Sequence, residues 1–191
     1  MRQVIVQIDM TLDGFIADAN EDLNWVKADE AMNQDASALL DTADTILLGR
    51  RAYQLFAEYW PFADTSGTST ASKIAHQINH ADKLVFSRTL ETVAWGNWNN
   101  ARLIKENIAE EIAKIQAQSG KNLVLYAGAE IISTFVQLGL VNEYRLRIHP
   151  VVLGSGKPLF QDIKHSIALE LVGEKHYDHG VVLLRYQPKM G

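Results

Sequence analysis

The chain has 191 residues and a formal net charge of −5 at pH 7, from 18 Lys+Arg against 23 Asp+Glu. It is 47% hydrophobic and 21% charged, an ordinary globular balance that excludes wholesale disorder. It contains no cysteine, which removes disulfides, thiolate catalysis, iron–sulfur clusters and Cys-ligated zinc together.

Length alone makes one compact domain over residues 1–191 the expectation. The opening MRQVIVQIDM holds only a short apolar stretch before Asp9, too short for a signal peptide or a spanning helix, so a cytoplasmic protein with no membrane partner is expected. A negative chain without a Lys/Arg run lacks the charge that phosphate neutralisation requires, so nucleic acid is not an expected partner.

In chain order, Val4, Val6 and Ile8 alternate with Ile5 and Gln7 and predict a buried strand closed by the turn Leu12-Asp13-Gly14. Met32, Ala36, Leu39, Leu40 and Ala43 form the stripe of an amphipathic helix, which exits at Asp44 into a short strand ending at Leu48-Gly49. Ala52, Leu55, Phe56 and Tyr59 share a second helical face, stopped at Trp60-Pro61 because proline disfavours helical geometry before it. The polar run from Phe62 to Ser72 reads as a surface loop, followed by a short helix with Ile74, Ala75 and Ile78 and a strand from Lys83 to Ser87. Asn107 with Glu110 has the spacing of a capping box ahead of Ile108, Ile112 and Ile115, and Gly120 supplies a stop. Leu123 to Tyr126 is an apolar strand that enters through Gly128 a helix with Ile131, Ile132, Phe135 and Leu138, ended by Gly139. Tyr144, Leu146 and Ile148 then alternate with Arg145, Arg147 and His149, and two strands near Ile167–Val172 and Val181–Tyr186 close the chain as a hairpin. Alternating strands and helices with a closing hairpin predict an α/β fold, a mostly parallel sheet with helices on both faces.

In such sheets ligands sit at the carboxyl ends of parallel strands, where glycine admits close backbone approach and helix starts face anions. Leu48-Gly49-Arg50-Arg51 places two guanidinium groups against a helix macrodipole, an arrangement that makes more sense with an anion between them than as two solvated arginines beside surface carboxylates. Tyr126-Ala127-Gly128-Ala129 repeats the strand-to-helix form without cations, and Phe86-Ser87-Arg88 pairs a hydroxyl with a cation, a combination that suits a phosphate monoester. His76 and His80 stand four apart on a helix with no third metal ligand evident, which reads as a solvated pair, and no metal is expected. Arg145, Arg147 and His149 share one strand face that could meet an anionic substrate or simply face water.

These segments, together with Met10-Thr11-Leu12-Asp13-Gly14-Phe15-Ile16-Ala17, Gly139-Leu140-Val141-Asn142-Glu143 and His149-Pro150-Val151-Val152-Leu153-Gly154-Ser155-Gly156, resemble the dihydrofolate-reductase-like family. Within it, the pattern is similar to stand-alone proteins like the reductase domain of bacterial riboflavin-biosynthesis deaminase/reductases. The resemblance implies a three-layer fold of that type, an NADPH cofactor, a small heterocyclic or carbonyl substrate and a homodimer. By position it implies that Ile16 and Ala17 meet the nicotinamide carboxamide, that Gly49, Arg50 and Arg51 cover the phosphates, that Ser87 and Arg88 meet the 2′-phosphate, and that Ala127, Gly128 and Ala129 approach the pyrophosphate. Ala52 and Ala127 depart from the Thr and Gly that members usually carry. Dihydrofolate reductases place an acid on the first helix a few residues after a Trp; here Trp25 is followed by Asp29, Glu30 and Asp35, whose spacing singles out none. Asp35 and the signature residue Asp13 stand as the candidate catalytic carboxylates, Asp13 being equally readable as a turn aspartate. Dihydrofolate reduction and a non-catalytic NADPH-binding module are the alternative functions.

Overall fold

A computed structural model describes residues 1–189. In chain order its elements are β1 (Val4–Thr11), β2 (Phe15–Ala17), α1 (Glu30–Asp41), β3 (Ala43–Gly49), α2 (Arg50–Tyr59), α3 (Thr70–His80), β4 (Asp82–Phe86) and β5 (Ala101–Ile104). There follow α4 (Ile108–Gln116), β6 (Asn122–Tyr126), α5 (Ala129–Gln137), β7 (Glu143–His149), β8 (Lys157–Pro158), β9 (Leu169–His176) and β10 (Val182–Pro188). The chain divides into two compact units, Met1–Gln3 with Glu30–Ala127, and Val4–Asp29 with the chain from Gly128 onward. The architecture is mixed α/β and mostly parallel, its main strands ordered β5-β4-β3-β6 in the first unit and β1-β7-β10-β9 in the second.

In the first unit all strand pairs are parallel, with Gly49 opposite Phe86 and Leu48 opposite Tyr126. Ile46 and Leu48 pack with Leu40, Ile74, Ile78, Val85 and Trp95. Leu47, which alternation turns to the opposite face, is equally inaccessible at 0%. Burial on both faces is why these strands read as unbroken apolar runs rather than alternating ones.

Several boundaries depart from the expectation. α1 ends at Asp41 instead of running to Ala43, because the Thr42 hydroxyl donates to the Leu39 carbonyl and Ala43 enters β3. The loop expected to reach Ser72 ends at Ser69, whose hydroxyl accepts from the Ser72 N–H and so starts α3 at Thr70. Asn107 makes no capping bond; it sits at φ 55 in the left-handed region, and α4 ends at Gln116, short of Gly120. β5 and the two-strand pair β2–β8 had no counterpart in the periodicity, being too short to show one.

Lys83 is buried within this unit. Its Nζ donates to the Asn79 carbonyl at 2.7 Å and stands 4.5 Å from the centroid of the Trp95 ring, whose indole N–H donates to Asn79 Oδ1. Burial pushes the Lys83 ammonium down to about 7.

In the second unit β1 and β7 are parallel, aligning Asp9 with Arg147 and Thr11 with His149, while β10 lies antiparallel to both β7 and β9. The closing hairpin is thus present. Gly139 ends α5 as expected, at φ 65, and the Leu140 N–H returns to the Phe135 carbonyl. Phe15 faces Pro158 across the β2–β8 pair, and Gly156 just before it adopts φ 153. A Cβ on Gly156 would fall 2.3 Å from the Ala17 carbonyl oxygen. Gly156→Ala is therefore expected to destabilise the protein by about 1–3 kcal/mol, read as a lower thermal midpoint. Gly128→Ala is the matched control: with no atom within 4 Å of its Cβ position and φ −75, it should stay within about 0.5 kcal/mol of the parent.

Candidate functional site

In the first unit the parallel register brings the carboxyl ends of β3, β4 and β6 side by side, so Gly49, Ser87 and Ala127 leave the sheet from adjacent strands. α2 begins immediately after Gly49, which is extended and offers no side-chain cap, so the first N–H groups of the helix have no side chain to receive them. Arg50 and Arg51 are both exposed on this first turn and, with Gln54, Leu55 and Glu58, line a recess along α2. Ser87 Oγ accepts from the N–H groups of Thr89 and Leu90, folding the chain back after β4. That turn leaves Arg88 exposed and brings the Thr89 hydroxyl to 3.4 Å from an Arg50 guanidinium nitrogen. Thr89 thus joins the group, though nothing in its local sequence marks it out.

Ala52 packs against the apolar cluster beneath α2, and Ala127 is only 5% exposed. Neither position presents a hydroxyl or a bare backbone to the strand ends. Asp35 lies half-buried on α1, also in this unit.

In the second unit α5 starts behind Gly128, again extended and without a side-chain cap, with open space where a Cβ would be. Ala129 is fully buried beneath it. Ile16 and Ala17 are buried in β2, and the Ala17 carbonyl faces Gly156. Asp13 is exposed at the β1–β2 turn, yet its carboxylate is well supplied with donors. The Thr11 hydroxyl donates at 2.6 Å, the Gly154 N–H at 2.8 Å and the Leu153 N–H at 3.1 Å. The Thr11 hydrogen bond above all, then those backbone groups, holds its pKa below the ordinary carboxylate value.

A further group on this unit was not anticipated as a set. Asp9, near the carboxyl end of β1, accepts from Arg147 Nη2 at 2.6 Å and pairs with His149 Nε2 at 2.8 Å. The Trp25 ring stands edge-on to His149, with centroids 5.3 Å apart. The available signal was an acidic residue in phase with Ile5 and Gln7 on a strand with no other charge. Among the described residues no group of three or more His, Cys, Asp or Glu is placed to hold a metal ion; His76 and His80 stack on each other, with centroids 3.9 Å apart.

Comparison with known proteins gives this arrangement a family. The sequence model of the RibD C-terminal domain matches residues 2–183. The chain is 40% identical over 185 residues to the uncharacterized protein YyaP of Bacillus subtilis (strain 168), an alignment covering 97% of this chain and 94% of YyaP. A solved structure of a protein assigned to riboflavin biosynthesis in Shewanella sp. PV-4 superposes with a TM-score of 0.79 at 23% identity, covering 98% of this chain and 99% of the other. Dihydrofolate reductase from Enterococcus faecalis, complexed with NADP(H) and RAB-propyl, shares the fold with a TM-score of 0.60 at 13% identity, covering 98% and 97% of the two chains. The expected dihydrofolate-reductase-like architecture is therefore present, and the chain belongs to the RibD C-terminal domain family.

Proposed function

We propose that this protein is an NADPH-dependent reductase that delivers hydride to a small heterocyclic or carbonyl-bearing substrate. The observation that carries this reading is the meeting, at adjacent strand ends of the first unit, of an uncapped helix start, two exposed arginines and the Ser87–Leu90 turn. The donor set fits a phosphate-bearing dinucleotide. Free helix N–H groups and guanidinium forks both favour oxyanions, and the open space beside Gly128 in the second unit admits close approach of a ligand to backbone. When bound, the nicotinamide would supply the hydride.

In this reading Gly49, Arg50 and Arg51 hold phosphate, and Arg88 with the Ser87 hydroxyl takes the 2′-phosphate. Ala127, Gly128 and Ala129 border the pyrophosphate, and Ile16 and Ala17 set the nicotinamide end. Asp13 serves as an anchor rather than a proton donor. Its carboxylate ties the β1–β2 turn to residues 153–154, and an acid held below its ordinary pKa carries no proton to give at neutral pH. Asp35 remains the helix carboxylate of the proposal.

The test is a titration with NADPH and with NADH, following tryptophan quenching and thermal midpoint together. NADPH is expected to bind more tightly. Arg88→Ala should weaken NADPH about tenfold and leave NADH nearly unchanged, the worth of one charge-assisted contact at an exposed site. Failure of both cofactors to bind would overturn the reading, and an equal loss for both in Arg88→Ala would overturn the 2′-phosphate assignment.

A further inference from the structure

His76 and His80 take no part in the proposed cofactor site. Their spacing of four residues puts both on one exposed face of α3, within the first unit, and their rings stack with centroids 3.9 Å apart and planes 24° from parallel. Spacing alone reads as two solvated histidines, because it does not say which ring nitrogen is free. The structure supplies that for His80, whose Nδ1 lies 2.9 Å from the His76 carbonyl oxygen. A carbonyl only accepts, so Nδ1 carries the proton and a neutral His80 presents the lone pair of Nε2. An Nδ1–H donated to a backbone carbonyl is the arrangement that fixes tautomer and ring orientation in metal-bound histidines.

The surroundings suit a cation. His80 stands in the last turn of α3, where the helix macrodipole favours positive charge. Lys73, the single Lys or Arg of this helix, is tied to Asp41 at 2.7 Å, and Lys83 meets the same turn from inside the fold, at the Asn79 carbonyl. Two imidazole nitrogens bound to one ion at about 2.0–2.1 Å lie about 3 Å apart. Rings already paired at 3.9 Å therefore need only turn their nitrogen edges toward a common point.

We propose that His76 and His80 form a bidentate surface site for a late first-row divalent metal ion, with water completing the coordination. Imidazole suits nickel, copper and zinc, whereas magnesium requires oxygen ligands. Two protein ligands, rather than the four of a closed structural site, leave open positions on the ion and make it exchangeable. The site stands independently of the reductase reading, since it shares no residue with the cofactor donors.

The test titrates Ni²⁺ alone into tag-free protein by calorimetry, in the wild type and in His76→Gln, His80→Gln and His165→Gln, the last removing an exposed histidine elsewhere in the chain. The wild type and His165→Gln should each take up one Ni²⁺ per chain. Affinity should fall at least about tenfold in His76→Gln and in His80→Gln, because each leaves one imidazole where two had chelated. Trp98 reports on the place of binding, since its ring stands edge-on to His80 with centroids 4.7 Å apart. Its indole N–H cross-peak, assigned in 15N-labelled protein by Trp98→Phe, should be broadened by substoichiometric paramagnetic Cu²⁺ in the wild type and spared in His76→Gln and His80→Gln. Both histidines are exposed, so these variants should keep the metal-free thermal midpoint of the parent. Absence of Ni²⁺ binding in the wild type, unchanged affinity in His76→Gln or His80→Gln, an equal loss in His165→Gln, or Trp98 broadening that survives in both site variants would each overturn the proposal.

Discussion

Replacing Arg50 and Arg51 together by alanine is expected to weaken NADPH and NADH alike by about 30- to 100-fold. The parallel loss is the informative part, because both cofactors carry the pyrophosphate that these arginines are proposed to hold. Hydrogen bonds to charged groups contribute roughly 1.5–3 kcal/mol each, and the exposure of both side chains puts this pair near the low end. A combined loss of about 2–2.7 kcal/mol converts to that range of affinity. The Arg50 contact to Thr89 is long at 3.4 Å and between exposed groups, so Arg50→Ala alone should leave the thermal midpoint nearly unchanged. The wild-type protein should in turn lose affinity as salt rises, and the double variant should lose less. Unchanged cofactor affinity in the double variant would remove the phosphate site from β3 and α2.

The second large effect concerns stability. Lys83 titrates at about 7 in the folded protein because burial disfavours its charge, against an ordinary value of 10.5 once the chain unfolds. Between those two values the unfolded chain binds more protons than the folded one, so stability rises with pH. Below pH 7 both states are protonated and the cost of the buried charge is fully present; it is relieved as pH climbs. Between pH 7 and 10 the gain is at most about 4 kcal/mol, at about 1.4 kcal/mol per pH unit. Lys83→Met should flatten this slope in urea denaturation at the two pH values. Tyr144, pushed up to about 12 by burial, acts in the opposite direction above pH 10, which sets the upper end of the window. An equal slope in parent and variant would mean that Lys83 keeps its proton in the fold, held by the Asn79 carbonyl and the Trp95 ring.

Much of the fold was legible in local patterns. The passages from Leu48-Gly49 into α2 and from Tyr126 through Gly128 into α5 lie where the periodicity placed them, because apolar strands buried on both faces and glycine at the strand exit are local signals. Short elements were not legible. Four residues in β5 and two in β8 cannot establish a period, and their pairing depends on strands supplied from elsewhere. Ala43 shows the same limit at a boundary: its spacing suits the helix stripe, but pairing with Asn122 of β6 draws it into β3.

The candidate site divides in the same way. Glycines, paired arginines and a Ser-Arg step at strand ends are short-range features, so the sequence by itself determined the order of the strand-to-helix passages and the residues proposed to hold phosphate. The long-range partners of the carboxylates came only from the tertiary structure. Asp13 takes its strongest hydrogen bond from Thr11, two residues away, but its other donors are backbone groups 140 and 141 residues away, and Asp9 is held by side chains 138 and 140 residues away. A carboxylate takes its chemistry from the donors that surround it, and here all of those named except Thr11 come from a strand and a loop that only folding brings within 3 Å or so of it.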